Sequence, residues 1–215
     1  LARLLGLGWL AMAALRRRCA ARWRPLRRQR RIHAFDAGNG LAGRFRRQRR
    51  VAKPIIAAMT GHLIAGGMML SLNSDLRVCR KVTQVGITET RIAGRGSPWA
   101  IPLLWMLPQP LLMEMVLTGE LYPIATFHQL GFINYLEDTP DAVRARAQSL
   151  AERIRDNAPL SVMAGKESIL TAMSAGCDAG MALAQNIYRA AYASEDAQEG
   201  PRAFAEKRKP VWKGR

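Results

Sequence analysis

A glycine pair set between apolar segments constrains this chain more than any other feature. In the run from Lys53 to Asp75, KPIIAAMTGHLIAGGMMLSLNSD, a short Ile- and Ala-rich stretch at residues 55–59 breaks at Thr60-Gly61. A second apolar patch then meets Gly66-Gly67 at the head of a further apolar segment. That order predicts strand, turn, glycine pair and helix. Glycine leaves the N–H groups of a helix's first turn without side-chain cover. Those groups have no partner within the helix, so they can donate to an oxygen that gains negative charge. Gly66 and Gly67 are therefore candidate oxyanion-hole residues; close packing or a turn is the other reading of glycines in this place.

The segments that follow predict α/β layering with at least one β-α-β crossover. Residues 76–79 and 82–87 read as short strands, and residues 100–107 as a helix stopped by Pro108-Gln109-Pro110. Trp99 and Trp105 read as pocket or core aromatics. Glu89 stands just after the strand pattern Val85-Gly86-Ile87, where a carboxylate is either a proton carrier or a solvated side chain. His62 and His128 lack a neighbouring nucleophile in any triad context and read as surface or packing residues. From Asp138-Thr139-Pro140 onward the pattern is helical, with a capping side chain and a proline in the first turn. Val143, Ala147, Leu150, Ala151 and Ile154 share one face. Further helices are expected near residues 160–174, 178–193 and 197–207, a bundle or an oligomerisation layer.

Net charge would suggest a nucleic-acid binder, but its distribution does not. Residues 1–52 hold 15 of the 33 Lys and Arg and a single acid, Asp36, whereas residues 53–215 hold 18 bases and 15 acids. The basicity belongs to an Arg-rich head, and the rest is nearly balanced. The apolar run at residues 4–15 is too short to span a bilayer and precedes its arginines, the reverse of a secretory signal. Its bias and its start at Leu1 lead us to expect a disordered segment or an incorrect gene start or frame; an organelle transit peptide is the alternative. Cys19, Cys79 and Cys177 form neither a C-x-x-C pair nor a zinc spacing.

Several motifs together resemble the enoyl-CoA hydratase/isomerase family, the crotonases. They are K-P-I-I-A-A-x-x-G-H-x-x-A-G-G-x-x-L-x-x-x-S-D-L-R, V-G-I-T-E at residues 85–89, E-M-V-L-T-G at residues 114–119 and the tail E-D-A-Q-E-G-P-R-A-F-A-E-K-R-K-P-V-W-K-G-R. The resemblance covers residues 53–215 and implies a partial crotonase-like fold of β-β-α units, with a core at residues 53–137 and a helical region at 138–215. It also implies acyl-CoA thioesters as substrates, no separate cofactor, and a homotrimer or dimer of trimers. By the same resemblance Gly66 supplies an oxyanion donor and Glu89 is one of two catalytic glutamates. The other glutamate position is Met69, which cannot transfer a proton, so Met69 reads as core or acyl-pocket lining. The fragment His33-Ala34-Phe35-Asp36-Ala37-Gly38-Asn39-Gly40 is similar to the family's first oxyanion loop, with Asp36 at the donor position and Gly40 replacing its closing Asp.

Trp99 follows the segment that replaces the family's glycine-rich loop and is expected at the substrate. Lys207 and Lys209 read either as contacts for the phosphates of coenzyme A or as a solvated tail. No nucleotide loop and no metal cluster appears in the sequence. The expected activity is enoyl-CoA hydratase- or isomerase-like proton transfer by a single Glu. A non-catalytic acyl-CoA-binding or oligomerising paralogue is the alternative, and an Arg-rich nucleic-acid binder the more remote one. Expected localisation is cytoplasmic, or the mitochondrial matrix if residues 1–52 are a transit peptide, with no membrane as partner.

Overall fold

A computed structural model of the protein describes residues 51–94 and 96–215. Residues 1–50 of the basic head, Asp36 among them, lie outside the described residues. Two successive strand–strand–helix units form the centre. The first comprises β1 (Ile56–Met59), β2 (Leu63–Ile64) and α1 (Gly66–Leu72). The second opens with β3 (Leu76–Arg80) and β4 (Gln84–Gly86). The first strands of both units pair in parallel, Ile56 opposite Leu76, and so do the second strands, Leu63 opposite Val85. Each unit thus gives one strand to each of two three-stranded sheets. A parallel pair needs a crossover, and α1 supplies it. Each sheet gains a third strand, β5 (Leu121–Pro123) antiparallel to β4 and β6 (Tyr135–Glu137) parallel to β3. With only three residues each, β5 and β6 show no periodicity and were not expected from the sequence.

The core sits between the sheets and the helices that follow them. Leu63, Met68, Leu72, Val85, Ile87, Leu103, Met115, Ile124, Phe127 and Phe132 are buried in one cluster. One expectation changes here. Residues 98–105 form a 3-10 helix, Pro98–Trp105, with Pro102 inside it. Proline there has no N–H for an α-helical bond, and the tighter coil eclipses residues three apart. Ala100 and Leu103 accordingly point inward, whereas Ile101 and Leu104 are exposed. Trp105 is 60% exposed, so it is not a core aromatic. Pro108 and Pro110 open the next helix rather than stop the last: Pro108 is the cap of α2 (Gln109–Thr118) and Pro110 lies in its first turn. The short helix α3 (Ile124–Gln129) follows β5.

Arg77 is the buried charge around which these pieces meet. It lies in β3, whose Arg77, Val78 and Cys79 are all buried. Its Nη1 donates to the carbonyls of Ser71 (3.0 Å) and Ser74 (2.7 Å), at the C-terminal end of α1. Nε donates to Phe132 O at 2.6 Å, and the guanidinium lies 4.7 Å from the centre of the Phe132 ring. A cation suits this helix end, where the negative end of the helix dipole lies. The Arg77 backbone also exchanges bonds with Asn134, whose Oδ1 accepts from Arg77 N–H at 2.8 Å and whose N–H donates to Arg77 O at 3.0 Å.

The C-terminal third is helical as expected. α4 (Pro140–Arg155) starts at Thr139, whose hydroxyl accepts from Ala142 N–H at 3.1 Å. Its Val143 and Leu150 pack on Val78, Ile56 and Tyr135. α5 (Pro159–Ala175) and α6 (Cys177–Tyr192) form a helical pair, and α7 (Glu195–Ala205) ends the helical region. Lys166 of α5 reaches back to β1: its ammonium sits 2.7 Å from Asp75 and 3.0 Å from Lys53 O, while Asp75 accepts from Ile55 N–H at 2.7 Å. Among the described residues no helix is long and apolar enough to cross a membrane.

Replacing Arg77 with Met takes the guanidinium donors away from the Ser71, Ser74 and Phe132 carbonyls. Arg77→Met should cost on the order of 3 kcal/mol in urea unfolding. A loss within the scatter of exposed substitutions would show that Arg77 is not the tie described.

Candidate active site

The two glycines of the pair do different work. The first intrahelical bond of α1 is Met69 N–H to Ala65 O, 2.9 Å, so the N–H groups of Gly66, Gly67 and Met68 precede the helical ladder. Ala65, at φ 47° and ψ −115°, makes the abrupt entry, and no side chain caps the helix. A Cβ on Gly66 would meet nothing within 4 Å, so its backbone is open on that side. A Cβ on Gly67 would lie 2.9 Å from His62 O, so Gly67 is the packing glycine. His62 is itself occupied structurally, its Nδ1 accepting from Gln84 N–H at 3.0 Å. His128 lies exposed in α3.

Sheet register brings Glu89 to the same place as the glycines. Ile64 and Gly86 are direct partners in the parallel pair β2/β4. Gly66 follows the first by two residues and Glu89 follows the second by three, so both leave the sheet at the carboxyl ends of adjacent strands. Neighbouring strands lie about 4.8 Å apart, and such edges are where open α/β sheets bind ligands. Glu89 begins a five-residue π-helical turn, Glu89–Ala93, a geometry frequent at functional sites. Its Oε2 is buried and has no hydrogen-bond partner among the described residues. A buried carboxylate oxygen without a donor is costly unless something else brings a proton or a ligand to it.

Met69, one turn into α1, is buried, with Met68 fully buried beside it. Met69 brings no second carboxylate to this turn of the helix. Trp99 is half-buried and packs on the main core.

The tail turns most of its charges on itself, which the sequence alone did not reveal. Asp196, 4% exposed, accepts from Lys213 N–H (2.7 Å) and Gly214 N–H (2.9 Å), and Glu195 N–H donates to Arg215 O at 2.7 Å. Trp212 donates its indole N–H to Asp156 O at 2.9 Å, and its ring lies 3.4 Å from where a Cβ on Gly200 would be. Arg208 makes a two-pronged pair with Glu199, 2.6 and 2.9 Å. That guanidinium and the Val211 N–H hold the Glu199 carboxyl down to about 2. Glu195 is held below the ordinary range by Lys213. Lys207 and Lys209 are exposed, and no acid among the described residues pairs with either.

Comparison with known proteins gives the family and the fold. A model of the enoyl-CoA hydratase/isomerase family matches residues 27–215, a span that takes in the Asp36 fragment. The chain is 33% identical over 165 residues to (E)-benzylidenesuccinyl-CoA hydratase of Thauera aromatica, covering 75% of this chain and 63% of that one. It is 33% identical over 170 residues to carnitinyl-CoA dehydratase of Salmonella typhi, covering 76% and 64%. The chain therefore spans just under two thirds of the length of these relatives. The crystal structure of enoyl-CoA hydratase from Mycobacterium tuberculosis H37Rv superposes with a TM-score of 0.71 at 36% identity, over 76% of this chain and 65% of that one. The strand–strand–helix units described above are those of the crotonase fold.

Gly67→Ala forces its methyl against His62 O and should cost about 1–3 kcal/mol, whereas Gly66→Ala should stay within about 0.5 kcal/mol of the parent; equal thermal shifts for the two would contradict the division of labour. The tail makes a pH prediction. The folded tail keeps Glu199 ionised below the ordinary glutamate value of about 4.3, so its contribution is complete above that pH and fades as pH falls toward 2. Trp212 fluorescence should hold steady from pH 7 to about 4.3 and change below it. In Glu199→Gln this step should shrink, and an unchanged step would assign it to another group.

Proposed function

Since the chain belongs to the enoyl-CoA hydratase/isomerase family, we propose that it binds acyl-CoA thioesters and moves a proton next to their carbonyl. The observation that carries this reading is the shared edge of β2 and β4. There Gly66 has an N–H ahead of the helical ladder and open space where a Cβ would stand, and Glu89 carries a buried Oε2 with no hydrogen-bond partner among the described residues. The names of the relatives, a hydratase and a dehydratase of CoA thioesters, support the substrate class.

In this mechanism the Gly66 N–H donates to the thioester oxygen, which gains negative charge as the adjacent C–H bond breaks. Glu89 takes the C2 proton of a 3-enoyl thioester, the electron pair delocalises onto the oxygen, and the same carboxyl returns the proton at C4. The product is the 2-enoyl isomer. One base suffices because no other atom is added. Hydration adds a water that must be oriented and deprotonated on one face of the double bond, and buried Met69 offers no hydrogen bond for that task. Isomerisation should therefore outrun hydration. Trp99 is proposed to line the substrate side of the site, and exposed Lys207 and Lys209 to meet the coenzyme's phosphates. A homotrimer or dimer of trimers is the proposed assembly. The second reading, a non-catalytic acyl-CoA-binding or oligomerising paralogue, is favoured by Met69 alone.

Glu89→Gln keeps the shape of the side chain but removes the transferable proton. Assayed with 3-hexenoyl-CoA, it should lose isomerase activity by about 100-fold or more. Undiminished turnover would assign the chemistry elsewhere, and brisk crotonyl-CoA hydration by the parent would overturn the preference for isomerisation.

A further inference from the structure

Glu89 has an unusual support problem. No hydrogen bond from the described residues reaches its Oε2, so the backbone turn that carries the carboxyl bears on where it sits. Within the turn, Thr88 O accepts from both Arg91 N–H (3.1 Å) and Ile92 N–H (2.9 Å), and Gly94 N–H closes on Glu89 O. These bonds fix the shape of the turn but not its place in the fold.

We propose that residues 119–121 are a clamp that positions Glu89, an inference that rests on the acid/base role given to Glu89 above. The clamp grips the turn on both sides. Before Glu89, Gly86 pairs with Leu121 in antiparallel register, so closely that a Cβ on Gly86 would lie 2.6 Å from Leu121 Cδ2 and 2.9 Å from Glu120 O. After Glu89, a Cβ on Gly119 would lie 2.6 Å from Arg91 Cβ and 3.3 Å from Arg91 N. Gly119 adopts φ +67° as the cap of α2, so that helix delivers the clamp at a fixed angle. Arg91 and Glu120 also pair at 3.1 Å, but both are more than half exposed, so the bare backbone contact rather than the ion pair does the holding. Gly86 and Gly119 thus lack side chains for one reason: each lets the clamp approach one flank of the Glu89 turn. Residues 119–121 touch neither substrate nor the reacting atoms in this account, and they act through Glu89.

Carboxyl-labelled glutamate gives a readout independent of turnover. The Glu89 13C resonance is identified by its loss in Glu89→Gln, then followed in Gly119→Ala and in Gly119→Ala/Arg91→Gly. Both variants share the strain of an alanine at positive φ, so their difference isolates the collision with Arg91 Cβ. Gly119→Ala should displace the resonance and lower kcat for 3-hexenoyl-CoA about tenfold or more at unchanged KM, and adding Arg91→Gly should recover most of both. A resonance that stays in place in folded Gly119→Ala overturns the clamp. Should that variant fail to fold, Leu121→Ala at a 45% exposed position trims the other jaw: a displaced resonance supports the clamp and an unchanged one overturns it. If Glu89→Gln itself leaves turnover unchanged, the acid/base role fails, while the resonance still decides the clamp.

Discussion

One buried guanidinium sets where this fold's first-unit helix ends and so where it begins. Arg77 gathers the Ser71 and Ser74 carbonyls at the C-terminal end of α1 and the Phe132 carbonyl from the approach to β6. A seven-residue helix is about 10 Å long and stiff, so fixing one end fixes the other. The other end carries the Gly66 N–H. The proposed chemistry at the glycine pair therefore depends on a charge that never approaches the substrate. A lysine could not replace it, because three carbonyls and an aromatic face must be met by one planar group.

The second constraint is the parallel pairing of β2 and β4. Each strand is only two or three residues long, yet their register decides that the helix start and the Glu89 turn emerge side by side. Tight contacts reinforce it from both directions. Gly67 admits His62 O, and Gly86 admits the strand β5. The site is thus built on backbone approach at glycines, and among the described residues Glu89 Oε2 has no hydrogen-bonding neighbour.

Much of this was legible in the sequence, for identifiable reasons. Glycine breaks, short apolar runs and the Thr139 cap each have a local cause, so β1, α1 and α4 fell close to their expected places. Residues acting across long separations were not legible in the same way. Asp75 and Arg77 stood inside a quoted motif, but nothing local says that one meets Lys166 and the other Phe132. A charge within a strand of buried apolar neighbours was the available signal for Arg77. Asp196 likewise stood inside the tail motif, where nothing local says that it accepts from the returning Lys213 and Gly214 N–H groups. The helix expected at residues 100–107 could not be typed because an all-apolar segment hides its period, and Pro102 was the residue that could have marked it as 3-10.

The central claim is that the β2/β4 edge recognises a thioester carbonyl rather than an acyl chain or a nucleotide alone. Calorimetric titration of the full chain with crotonyl-CoA, free coenzyme A and crotonate tests it most directly. The account predicts that the thioester binds at least about tenfold more tightly than coenzyme A, a gain of about 1.4 kcal/mol, and that crotonate binds weakest. Equal affinity for crotonyl-CoA and coenzyme A would contradict it, since the edge would then contribute nothing to holding the carbonyl.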